Sequence, residues 1–439
     1  MFKAGYAQEI ITPPVGVGLA GYFNKRPNEG AYDDLYLKVI AMENNGKRFA
    51  MVAYDLCSIR LSLYNELQEA LKAEFGDLND NIILSAIHTH TGPEFPAKEN
   101  WDELTRTAAE IIVNATIRGL KRAFMNLQPA TLEATSVYNN PYAFVRRYFM
   151  KDGNIITNPG WRNPNIEKPE SEMDRTIGIL AIRQGGRIAA LICNIANHMD
   201  TIGGNLVSAD WPGRMALAIQ NELKESIPVL TIDDASGDIN HFDFRQDIKQ
   251  TGYFEADRIG RGYARIVLDA LPQLKPLSFD EVTIKNTVFD LPHRILTKEE
   301  IAEAQHILDT VPDIKKEGDF ESQDLANKVP AALRYFAKRA LDGAAKSTPS
   351  HKCRITSFAF GRELVICTLP GEPFNGIGRA VRANSNYKYT FLVELAQTPA
   401  GYTPMRECFA RGGYEVQPGT NTAALNTAEV IIEAAKSIL

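Results

Sequence analysis

The segment His88-Thr89-His90-Thr91-Gly92-Pro93 carries the clearest chemical signal in the chain. It follows the apolar run NIILSAI. On a strand, residues two apart face the same way, so both imidazoles project together at the strand end, and Gly92-Pro93 stops the strand just beyond. The chain holds 7 histidines, so such a pairing is informative. His198 ends a second apolar run, RIAALICNIAN, in Asn197-His198-Met199-Asp200-Thr201. Three imidazole nitrogens, or two and a carboxylate, suit zinc with a coordination position left open. Asp55, Asp210, Asp238 and Glu372 are the candidate carboxylates; Glu372 sits in the forced turn Pro370-Gly371-Glu372-Pro373. A hydrogen-bonded pair of loop histidines, and a carboxylate held at a helix N-terminus, would present the same residues. Gly16-Val17-Gly18-Leu19-Ala20-Gly21 fits GxGxxG literally, but it follows Thr12-Pro13-Pro14 and opens no helix, so a glycine-rich turn is the better reading. Neither a GxSxG elbow nor a phosphate-binding loop is present.

The elements that must position these residues recur along the chain. RFAMVAY runs into Asp55, NIILSAI into the histidine pair, and RIAALICNIAN into His198. VLTI runs into Asp233-Asp234, ELVICTLPG into Glu372, and FLVELA into Gln397 and then Tyr402. Helical patterns such as LSLYNELQEALKAEF and EADRIGRGYARIVLDAL lie between them. Buried strands alternating with helices predict an α/β fold with a mixed, largely parallel sheet flanked by helices. In such folds ligands gather at the carboxyl ends of the strands, so the six polar endings read as one site. Residues 295–345 differ. Thr297 and Glu300 have capping-box spacing, and KVPAALRYFAKRALDGAAK is a second helical stretch. This predicts a helical excursion, a lid or packing insert within a single domain spanning 1–439. The sequence displays no internal repeat.

Composition narrows the function. A net charge of -6 removes the footprint expected for phosphate backbones, so nucleic acid is not the partner. The 5 cysteines form no CxxC pair and several sit in apolar runs, which predicts buried free thiols. No stretch has the length of a membrane span, and MFKAGYAQEI lacks the pattern of a secretory leader. That start fits a cytoplasmic protein if Met1 is native, or a secreted or periplasmic one from which a leader was removed.

The order of these motifs resembles that of the neutral, non-lysosomal ceramidases. HTHTGP at 88–93 looks like that family's HTHSGP. NHMDT with SADWPG at 208–213 looks like its HATS…SGDNKG stretch, and DDASGDIN at 233–240 is similar to its SSNxGDxSPN segment. LPGEPF and the later GYTP complete a series running from MFKAGYAQEIITPP to about Tyr414. The resemblance implies a Zn2+ ion held by His88, His198, Glu372 and Tyr402. It implies His90 as acid/base, and Arg146 (with Arg147 adjacent) and Tyr414 as contacts to the reacting group. The implied activity is a zinc-dependent amide hydrolase, an N-deacylase in which metal-activated water attacks a small-molecule N-acyl amide, possibly a lipid. Two departures are visible. Asn240 and His241 stand where the family has Ser-Pro, which favours metal-water chemistry over a serine nucleophile, and the chain ends near residue 439 without a further β-sandwich domain. Both leave room for a zinc hydrolase of a non-lipid amide or ester, such as an acylated sugar or peptide, and for a binding protein with a degenerate site.

Overall fold

All six apolar runs form strands in a computed structural model that describes residues 1–314, 316–320, 322–345 and 348–439. They belong to one arrangement used three times. In the first unit β1 (Phe2–Ile10), β2 (Tyr36–Asn44) and β3 (Lys47–Tyr54) pair antiparallel in that order, and β4 (Ile82–Ala86) joins β3 in parallel. Helix α1 (Leu61–Phe75) makes the crossover from β3 to β4, and α2 (Glu103–Met125) follows, its first turn capped by the Asp102 carboxylate. The second unit repeats this. Strands β5 (Thr131–Tyr138), β6 (Thr176–Gln184) and β7 (Arg187–Ile195) are antiparallel, and β8 (Val229–Asp233) runs parallel to β7. Helix α3 (Asp210–Leu223) forms the crossover and α4 (Tyr253–Ala270) follows.

The third unit opens with β9 (Val282–Pro292) and is interrupted by α5 (Lys298–Thr310) and α6 (Pro330–Ala345). It resumes with β10 (Ser350–Phe360), antiparallel to β9, then β11 (Leu364–Thr368), antiparallel to β10. Helix α7 (Asn375–Ala383) leads to β12 (Tyr389–Val393), parallel to β11, and α8 (Thr427–Lys436) follows. The recurrence is one of topology, and sequence inspection missed it because only the apolar pattern of each strand has to be kept, not its residues.

Strand alternation explains how the units pack. Ile40, Met51, Leu180, Ile192, Phe358 and Ile366 point into one core shared by the three sheets. The alternate residues face each unit's own helices: Val39 and Val52 against Leu67 and Ile112, Ile179 and Leu191 against Met215 and Ile259, Ile355 and Leu392 against Ile377 and Ile431. Each such side chain contributes about 1.5–3 kcal/mol on burial.

The mixed α/β character holds, but antiparallel pairing prevails, with one parallel pair in each unit's sheet. The expectation of a largely parallel sheet is corrected for a physical reason. Each sheet is covered on both faces, so its antiparallel strands also read as unbroken apolar runs. The excursion between β9 and β10 is helical as expected, and Thr297 and Glu300 form the full capping box. Among the described residues no helix is long and apolar enough to cross a membrane. All 5 cysteines are free and buried.

Candidate functional site

One donor of the candidate metal site comes from the end of each sheet. His88 lies just beyond β4, His198 beyond β7 and Glu372 beyond β11. β4 stops at Ala86, and His88 adopts φ 76°, a left-handed conformation that costs a residue with a side chain about 1–2 kcal/mol. The turn is fastened by His88 N–H to the Leu56 carbonyl (2.8 Å) and His90 N–H to the Met199 carbonyl (3.0 Å). The two rings are therefore brought together by a tethered turn, which corrects the expectation that they share a strand face. Gly21 lies against this turn with φ +98°, and a Cβ there would come within 2.5 Å of His90 Cγ. Glu372 follows Gly371, itself at φ 65°, and stands in parallel register with Tyr402.

The donor atoms face one point. His88 Nε2 is 3.0 Å from His198 Nε2 and 3.4 Å from Glu372 Oε2, and His198 Nε2 is 3.9 Å from that same oxygen. His88 Nδ1 lies 2.8 Å from the Cys57 carbonyl oxygen, so the ring donates there and Nε2 keeps a lone pair when neutral. Arg146 Nη1 lies 3.0 Å from His198 Nε2; a guanidinium only donates, so this nitrogen also presents a lone pair. Glu372 Oε2 is buried with no hydrogen-bond partner. The Arg146 guanidinium offsets only the His198 nitrogen, so the orphaned Glu372 oxygen favours a further positive charge in the cluster, a proton on His88 or a metal ion. Burial works against protonating His88, yet Cys57 and Glu372 outweigh it and raise its pKa well above the ordinary value. Nitrogens on a tetrahedral zinc are about 3.3 Å apart, so the donor set fits the ion with little movement.

His90 sits at the edge of this cluster, its Nε2 3.3 Å from that of His88 and its ring edge-to-face with Tyr22. Burial, then the proximity of His88, push its pKa down to about 3, so it is neutral at physiological pH. Tyr402 and Tyr414 are 5.9 Å apart between ring centroids, and the Arg146 guanidinium lies 5.2 Å from the Tyr402 ring. Burial raises both phenols, so both are neutral donors. His88, His90, Glu372, Tyr402 and Tyr414 line a cavity of about 1220 Å³. Part of its wall comes from the helical excursion. Tyr335 and Phe336 of α6 pack on Phe23, and Phe336 packs on Tyr414.

Of the two adjacent arginines, Arg146 faces the cluster and Arg147 turns away to Glu170 and the Gly412 carbonyl. Glu415 joins them. Its carboxylate takes Arg146 Nε at 2.8 Å, Arg147 Nη1 at 2.7 Å and the Thr157 hydroxyl at 2.8 Å. Sequence reading missed Glu415, although its place beside Tyr414 was a signal. Glu415→Gln should leave two buried guanidinium groups short of charge, at about 3–5 kcal/mol. It should lower the melting temperature, keep bound metal, and reduce turnover about 10–100-fold at a temperature where the variant is folded. Parental turnover in the folded variant would show that Glu415 only holds the fold.

The other candidate carboxylates do not join the cluster. Asp55 pairs with Lys38 at 3.1 Å, Asp210 accepts the Ile202 and Trp211 amides, and Asp238 accepts the Asn375 amide. Asp233 binds the Ser236 hydroxyl, Asp234 pairs with Arg382, and Gln397 donates to Thr356. At the departure from the family pattern, Asn240 donates to Asn158 (2.7 Å), while His241 Nδ1 stands 3.0 Å from Asp200 Oδ1. Asp200 lies two residues after His198, and its pairing with the distant His241 was not anticipated.

The profile of the family described as neutral/alkaline non-lysosomal ceramidase, N-terminal, matches residues 2–224. That range holds His88, His90, Arg146 and His198, whereas Glu372, Tyr402 and Tyr414 lie beyond it. The neutral ceramidase of Oryza sativa subsp. japonica is 30% identical over 175 residues, 37% of this chain and 21% of that protein. The neutral ceramidase of Pseudomonas aeruginosa is 24% identical over 226 residues, 48% of this chain and 32% of that protein. The matched segments thus span less than a third of either relative. The crystal structure of neutral ceramidase from Pseudomonas aeruginosa superposes with a TM-score of 0.72 at 19% identity, covering 100% of this chain and 74% of that one, which establishes a shared fold.

Proposed function

Because the chain belongs to the neutral/alkaline non-lysosomal ceramidase family of hydrolases, we propose that it is a zinc-dependent N-deacylase that hydrolyses the amide bond of an N-acylated small molecule. The observation that carries this reading is the convergence of His88, His198 and Glu372 on one point with His90 at its edge. Zinc held by these three, with Tyr402 as a fourth donor, would supply Lewis acidity that polarises the amide carbonyl and acidifies a neighbouring water. His90, neutral before reaction, takes the proton of the attacking water as the C–O bond forms. It returns that proton to the departing nitrogen as the C–N bond breaks, giving a carboxylate and an amine. Arg146 and Tyr414 donate to the oxygen that gains charge at the tetrahedral stage. Glu415 holds the guanidinium of Arg146 in place for this.

A second reading keeps the chemistry and changes the substrate. Arg60, Glu94, Lys98, Arg339 and Lys352 line the cavity beside its aromatic wall, and such a lining suits a polar headgroup, as in an acylated sugar or peptide. The test is a panel of an N-acylsphingosine, an N-acyl amino acid and an N-acyl hexosamine, with released acid and amine quantified by mass spectrometry. Turnover of at least one amide, abolished by chelation and restored by zinc, is the expected result. A zinc-loaded protein that binds but never cleaves the panel is a binding protein, and the proposal fails.

A further inference from the structure

A second pair of imidazoles faces the same cavity. His293 follows β9, His351 lies in β10, and both line the cavity wall. His293 Nδ1 is 2.9 Å from the Thr348 carbonyl oxygen, so its proton is donated there and Nε2 is left as a lone pair. That Nε2 points at His351 Nδ1, 2.5 Å away, with the ring centroids 4.7 Å apart and the planes tilted by 35°. His351 Nε2 in turn lies 3.1 Å from Cys353 Sγ, two residues along β10 and on the same strand face. Burial and the neighbouring His293 both work against protonating His351. Lys352 and Asp290, on the same two strands, pair with each other at 2.6 Å.

We propose that His293 and His351 form a second cation site in the cavity wall, taking a divalent transition metal ion such as Zn2+, Ni2+ or Cu2+ between His293 Nε2 and His351 Nδ1, with the His351 ring proton carried on Nε2 beside the Cys353 sulfur. Imidazole donors select such ions over calcium or magnesium, which prefer oxygen ligands. Adjacent nitrogens on a tetrahedral ion stand about 3.3 Å apart, so the two rings need to part by less than about 1 Å. Two fixed nitrogens hold an ion less tightly than a full ligand set, so the site fills after the His88 cluster. An ion there narrows the approach to that cluster, and excess metal acts as an inhibitor.

The test counts ions rather than turnover. Parent, His293→Ala, His351→Gln and the double variant His88→Ala/His198→Ala are titrated with Ni2+ and Co2+, with stoichiometry read by calorimetry and plasma mass spectrometry. The parent should bind two ions, one tightly and one more weakly. His293→Ala and His351→Gln should lose the weaker ion and keep the tighter, and the double variant should show the converse. Inhibition by excess zinc should fall at least tenfold in His293→Ala. If the double variant fails to fold, the contrast between parent and His351→Gln still decides the matter. A parent that binds one ion only, or wall variants that still bind two, reduces His293 and His351 to a hydrogen-bonded pair and overturns the proposal. Because loss of the tight ion would instead follow substitution at His88, failure of the first site and of the second give different patterns.

Discussion

Replacing His88 by alanine is expected to strip the proposed tight metal ion from the protein and abolish the proposed hydrolysis. Three donors from three sheets face one point, and the two that remain, His198 and Glu372, cannot close the gap left by His88. Losing a direct ligand should weaken binding by more than the ~10–100-fold typical of groups that merely orient one. Metal content after dialysis, measured by plasma mass spectrometry, reads this directly. The backbone supplies an internal control. His88 sits at φ 76°, so His88→Gly also removes the donor while relieving a conformation that costs alanine about 1–2 kcal/mol. The glycine variant should lose metal as fully as the alanine variant yet melt at a higher temperature. Full metal content in either variant would falsify the ligand assignment.

His90→Ala and His90→Gln should retain the metal and lose turnover by about 10²–10⁴-fold, the span expected when a general acid–base group is removed. The competing outcome has a geometric basis, since His90 Nε2 lies only 3.3 Å from His88 Nε2 and belongs to a second possible ligand group with Cys57. A ligand's loss takes the metal with it; a base's loss does not. A purely structural histidine would lower the melting temperature and spare the rate. Measuring metal content, melting temperature and amide hydrolysis together separates the three. Parental rates on a verified substrate, with metal in place, would sink the proton-transfer role.

Much of the candidate site was legible because its candidate donors terminate apolar runs. His88, His198 and Glu372 each follow a buried strand, and that pattern survives in the sequence whatever the pairing. The strands themselves were legible for the same reason, and α1 starts and stops where its apolar periodicity does. Pairing direction was not, because Ile182 or Phe358 reads as buried whether its neighbour runs parallel or antiparallel. Nor was the turn at His88. Its left-handed φ is imposed by tethers from Leu56 and Met199, residues remote in sequence. Glu415 escaped notice because a carboxylate's partners cannot be read without the fold, here Arg146 269 residues away. Asp55, Asp210 and Asp238 looked equivalent to Glu372 in sequence, and only the structure shows each already occupied by a lysine or by backbone amides.

The three-unit construction makes the donor cluster a gauge of how the sheets sit against one another. No unit contributes two of His88, His198 and Glu372, so no single unit holds the geometry by itself. Zinc–ligand distances tolerate about 0.2 Å, whereas packed cores relax by more than that around a lost side chain. Strain introduced deep in the common core, at Phe358 for instance, is therefore conveyed to the donors as a relative displacement of whole sheets. Affinity for the proposed ion would then be a finer reporter of core packing than the melting temperature. By linkage the reverse also holds: the proposed ion, binding only the assembled arrangement, would clamp the three sheets together, adding rigidity that none of them has alone.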